Sequence, residues 1–73
     1  MTPAQCRAAR ALVGMTQPQL GFVAVVPLGI IIDFEAEAMV PRPEDLDALQ
    51  DAFERAGVDF IGDVGVKLGK GAK

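Results

Sequence analysis

Histidine, tryptophan and tyrosine are absent from these 73 residues, and there is a single cysteine, Cys6. Without histidine the usual Cys/His zinc sites are excluded, and one cysteine cannot form an internal disulfide. No nucleophile–base pair stands out, and a chain this short leaves little room for a substrate pocket. No enzymatic role, cofactor, metal site or small-molecule substrate is therefore expected. Long hydrophobic runs are missing too. The longest apolar stretch, Phe22 to Ile32, is far short of the roughly 20 residues a membrane span needs, and Pro27 and Gly29 interrupt it. A soluble chain with no membrane partner is expected. An unpaired Cys6 and the lack of a signal peptide fit a cytoplasmic location. Among alanines near the N-terminus, Cys6 reads as a small buried apolar residue.

Positive charge is scarce and unevenly placed. Seven Lys and Arg stand against ten Asp and Glu, for a formal charge of −3. From Ala11 to Pro41 there is no Lys or Arg at all, while Asp33, Glu35 and Glu37 lie within that stretch. Nucleic-acid binders usually carry a basic footprint, because neutralising phosphates supplies much of their affinity.

What is present is a series of clear helix signals. Thr2-Pro3-Ala4-Gln5 reads as a capping box with proline at the first helical position, and Gly14 as a stop, predicting a helix over 3–13. Thr16-Gln17-Pro18-Gln19 repeats the box and predicts a second helix over 17–24. Val25-Val26-Pro27 is then a turn without a polar cap. Leu28 to Glu35 predicts a third helix, with Ile31 and Phe34 on its inner face by the helical period. Pro41-Arg42-Pro43 breaks the chain. Pro43-Glu44-Asp45 opens a fourth helix with a stripe of Leu46, Leu49, Phe53 and Ala56, stopped by Gly57. Its acids Glu44, Asp45, Asp47, Asp51 and Glu54 read mainly as a solvated face. Val58–Ile61 and Val66–Leu68 predict a β-hairpin joined by Gly62-Asp63-Val64-Gly65. One domain over 1–68 and a frayed tail over 69–73 follow.

From about Thr2 to Phe60 this pattern resembles the Cro/C1-type (XRE-family) helix-turn-helix transcriptional regulators. The residues that carry the resemblance are Arg10, the run Thr16-Gln17-Pro18-Gln19-Leu20, the set Ile31, Asp33, Phe34 and Glu35, and the step Pro41-Arg42-Pro43-Glu44. The resemblance implies a mainly α fold, four short helices of helix-turn-helix architecture followed here by a short C-terminal β-hairpin. It implies a structural ion pair between Arg10 and Glu35. It implies that the third helix enters the major groove, with Gln17 on a phosphate and Pro27, Leu28, Gly29, Ile32, Asp33 and Arg42 facing DNA.

The residues at those places do not suit that task. Base readout needs side chains that donate to or accept from base edges. Leu28 and Ile32 can touch a thymine methyl but form no hydrogen bond, and Asp33 accepts only from cytosine and is repelled by phosphate. The family usually follows its third helix with glycine and basic residues, where this chain has Glu37, Ala38 and Met39. Glu37 does not suit a left-handed cap, so the third helix is expected to continue to about Met39.

Phe22, Val25, Leu28, Ile30, Ile32 and Met39 fall on or near the face that would have met DNA. They form either an apolar surface for a protein partner or, if the third helix is rotated, part of the core. A hairpin of two strands is marginal alone, so it packs on the helices or pairs across a dimer. The expected function is that of a small regulator acting mainly through protein–protein contacts, as a homodimer or a heterodimer with a related regulator, with weak or absent DNA binding. The alternative is a conventional DNA-binding repressor acting as a dimer.

Overall fold

Each of the first two helices starts where its sequence supplies its own cap. The computed structural model describes residues 1–69. In α1 (Pro3–Val13) the Thr2 hydroxyl accepts from the Gln5 amide at 3.1 Å, and the Gln5 side chain accepts from the Thr2 amide at 2.9 Å. Thr16 and Gln19 make the same reciprocal pair at the start of α2 (Gln17–Ala24). Two otherwise orphan backbone donors are satisfied at each start. Gly14, at φ +70°, closes α1 in the left-handed conformation that glycine adopts without strain.

α2 ends differently. Val25 takes the left-handed conformation at φ +57°, and the Val26 amide donates back to the Gly21 carbonyl at 3.0 Å. The turn then folds tightly over α2: a Cβ at Gly21 would lie 2.9 Å from the Val26 carbonyl oxygen and 3.4 Å from Ile31 Cδ1. Glycine is needed there for close approach. α3 (Leu28–Glu35) follows with no side-chain cap at its start.

The expected extension of α3 to Met39 does not occur. The helix ends at Glu35, Glu37 turns left-handed at φ +60°, and the Ala38 amide donates to the Asp33 carbonyl at 2.8 Å. That long closing bond is the Schellman arrangement usually built on glycine. Here a glutamate occupies it, and the chain is turned toward the buried Pro41 that leads into α4 (Pro43–Arg55).

Strand β1 (Val58–Ile61) pairs antiparallel with β2 (Gly65–Leu68), with Phe60 opposite Val66 and Ile61 opposite Gly65. The second strand thus begins one residue before the expected Val66. Gly69, assigned to the tail by sequence, still donates to the Gly57 carbonyl just beyond the last strand pair, Val58 with Leu68. The remaining tail positions, 70–73, lie outside the described residues. The hairpin packs on α1 and α4. Gln5, almost fully buried, clamps it by donating to the carbonyls of Gly62 (2.8 Å) and Gly65 (3.1 Å). Phe60 meets Phe53 of α4 with ring centroids 6.3 Å apart. The described chain is therefore mostly helical, four helices and a two-stranded hairpin around one core. Leu20, Ile31, Leu49, Phe53, Val58 and Cys6 are its largest fully buried side chains. No helix among the described residues is long and apolar enough to cross a membrane.

Candidate interaction face

The orientation of α3 follows from its period. Ile31, Phe34 and Glu35 point inward, and Leu28, Gly29, Ile32 and Asp33 point outward. Leu28 is 41% and Ile32 44% exposed. Across the turn, Phe22 is 86% and Val25 87% exposed, so exposed apolar side chains stand on both sides of it. Phe22 and Val25 border a shallow hollow of about 570 Å³ with Gly21, Val26 and Pro27.

Ile30 and Met39 do not belong with them. Ile30 is half-buried and packs against the core, because three consecutive isoleucines at about 100° per residue cannot share one face. Met39 is exposed but borders a different hollow, with Met1, Phe34 and Leu46. The hairpin carries a further set of exposed apolar side chains in Ile61, Val64 and Leu68.

Behind α3 sits a closed polar network centred on Glu35. Arg10 grips the carboxylate with two nitrogens, Nε to Oε2 at 2.7 Å and Nη2 to Oε1 at 2.6 Å. Cys6 Sγ donates to Oε2 at 3.1 Å, and Gln17 Nε2 donates to Oε1 at 3.0 Å. Arg7 donates to the Glu35 carbonyl oxygen, and Arg10 also reaches the Met15 carbonyl at 3.2 Å. Burial pushes the Glu35 carboxyl up, but the hydrogen bonds from Arg10, Cys6 and Gln17 together with the Arg10 charge outweigh it. The group is held below the ordinary carboxylate range. Burial first, and then the neighbouring carboxylate, push the Cys6 thiol up, which leaves it protonated and poor as a nucleophile.

Contacts within the chain alter the standing of two residues assigned to DNA. Gln17 is half-buried, with its amide engaged on Glu35, instead of presented outward to a phosphate. Arg42 is exposed but lies against acids, with Nε 3.3 Å from Asp45 Oδ2 and Nη1 3.8 Å from Glu44 Oε2. Pro27, Leu28, Gly29, Ile32 and Asp33 are all exposed, and none of them carries positive charge. The sequence reading missed Arg7 and Cys6 as partners of Glu35. Their spacing offered a signal, since positions 6, 7 and 10 share one face of α1.

The outer face of α2 and α3 can therefore offer apolar contact and one carboxylate, but few hydrogen-bond donors. Among the described residues no three Cys, Asp or Glu side chains gather to hold a metal ion. In comparisons with known proteins the sequence matches no family model and no curated protein.

Proposed function

We propose that this chain is a small regulator of the Cro/C1-type helix-turn-helix class that acts mainly by docking to another protein, with little or no DNA binding of its own. The observation that carries the reading is the outer face of α3: Leu28, Gly29 and Ile32 stand exposed where a DNA reader needs polar and basic groups, and Asp33 beside them is acidic. The helix order and the tight α2–α3 turn support the class. The Arg10–Glu35 pair supports it as well, since the resemblance implied a pair at those two positions.

The electrostatics favour a protein partner over a duplex. Arg42 is engaged by Asp45 and Glu44, and Arg10 is closed on Glu35. With one or two phosphate contacts the salt dependence would be shallow, because each contributes only about 0.9 to the log–log slope. A phenylalanine and a valine left this exposed are what a partner surface presents.

The test is an anisotropy titration of the purified chain against duplexes from its own promoter at low salt, alongside sedimentation of the chain with and without lysate. Absence of sequence-dependent binding in the micromolar range, with a retained partner, is the expected result. Submicromolar, sequence-selective binding would return the chain to the conventional repressors.

A further inference from the structure

We propose that the α2–α3 face takes an amphipathic helix from a different protein, one whose apolar stripe is flanked by Lys or Arg, in preference to a second copy of this chain. The proposal deepens the protein-docking reading above and rests on it.

Three observations narrow the occupant. The first is shape. Leu28 and Ile32 stand one turn apart on the exposed side of α3, and Gly29 beside them has open space where a Cβ would be. A partner backbone can approach closely at Gly29 while its side chains straddle Leu28 and Ile32, the spacing by which one helix lies against another.

The second is charge. Asp33 lies one turn after Gly29 on the same side of α3 and makes no ion pair among the described residues. The guanidiniums nearest this region are engaged: Arg10 with Glu35, Arg7 with the Glu35 carbonyl and Glu37, Arg42 with Asp45 and Glu44. A two-fold dimer through α3 takes both Asp33 carboxylates out of solvent, and the cations that border Ile32 among the described residues, Arg7 and Arg10, are already bonded to Glu35 and Glu37. A lysine or arginine beside a foreign apolar stripe answers Asp33 directly.

The third is strain. Val25 holds a β-branched side chain in the left-handed region at φ +57° while 87% exposed. The turn itself holds that strain, since it buries Val26 and bonds its amide to the Gly21 carbonyl, and the valine side chain is left exposed for a partner to contact.

The experiment uses the full chain with isoleucine, leucine and valine methyls labelled for NMR. It is titrated with two synthetic helical peptides of identical leucine stripe, one flanked by lysines and the other by glutamates. The expected result is saturable shifts at Val25, Leu28 and Ile32 with the lysine peptide, at least about tenfold tighter than with the glutamate peptide. Asp33→Lys is expected to reverse that order while leaving the unbound spectrum otherwise intact. Equal binding of both peptides at this face would overturn the basic-partner inference and leave protein docking standing. A concentration-dependent dimer that buries Leu28 and Ile32 would do the same in favour of a second copy. Failure of both peptides to perturb the face would overturn the inference, and saturable shifts there with DNA would overturn the docking reading itself.

Discussion

Glu35 is where α1, α2 and α3 are tied together. Its carboxylate receives Arg10 and Cys6 from α1 and Gln17 from α2, and its own carbonyl receives Arg7. Every polar contact is made, so the cost of breaking the set falls on what is left behind. Glu35→Gln leaves the half-buried Arg10 guanidinium without its counter-charge and is expected to lower stability, read from urea unfolding, by less than the roughly 3–5 kcal/mol of a fully buried pair. Joint replacement of Arg10 and Glu35 by methionine is expected to cost much less, because no charge is then stranded. The pH dependence has a definite sign. The folded Glu35 carboxyl is held below its ordinary value, so its stabilisation is complete above about pH 4.3 and is lost as the pH falls through the folded value. The wild-type urea midpoint should therefore drop more steeply in acid than that of Glu35→Gln, and parallel slopes would deny the network this role. At this scale Arg10 and Glu35 were legible through the resemblance. Gln17 was not, since nothing local says whether a glutamine at a helix start turns inward to a carboxylate or outward to a phosphate.

At the scale of elements, local chemistry and long-range closure divide the sequence between them. The starts of α1 and α2 were legible because Thr2 with Gln5 and Thr16 with Gln19 are complete within four residues. The end of α3 was not. Glu35-Ala36-Glu37-Ala38 reads as good helix, yet the chain must turn at Glu37 to bring Pro41 into the core, and a tertiary demand overrides the propensity. The β2 start was misplaced by one residue, since a glycine signals a turn as readily as a strand end. The α2–α3 turn makes two opposed predictions. Val25→Gly relieves a non-glycine residue in the left-handed region and is expected to raise stability by about 0.5–1 kcal/mol, after the added freedom of the unfolded chain is discounted. Gly21→Ala is expected to do the reverse despite alanine's higher helix propensity. Its Cβ would meet the Val26 carbonyl at 2.9 Å, and overpacking of this kind costs about 1–3 kcal/mol. Thermal unfolding of the two variants checks both signs. A less stable Val25→Gly would mean that the valine side chain contributes contacts within the monomer.

For the whole molecule the governing feature is a core completed without using the outer side of α3. Ile31 and Phe34 fill the inner face and the hairpin is seated on α1 and α4, so Leu28 and Ile32 are left to the surface. Polarity on that face is then a matter of function more than of folding. Ile32→Arg with Asp33→Lys is accordingly expected to keep the fold. Non-specific DNA affinity at low salt should rise, with a salt slope steeper by about 2, two added phosphate contacts at about 0.9 each. An unchanged slope would mean that α3 does not present these positions to a duplex. The helical period gave Leu28 and Ile32 as outward but not the half-burial of Ile30 or the place of Met39 at another hollow, and the partner was not legible, because one chain's periodicity says nothing about what covers an exposed face. The most direct test of the account follows the Leu28 and Ile32 methyl resonances of the wild-type chain during titration with duplex DNA at about 50 mM salt. Unmoved resonances are the predicted result, and saturable, sequence-dependent shifts at those two side chains would contradict it.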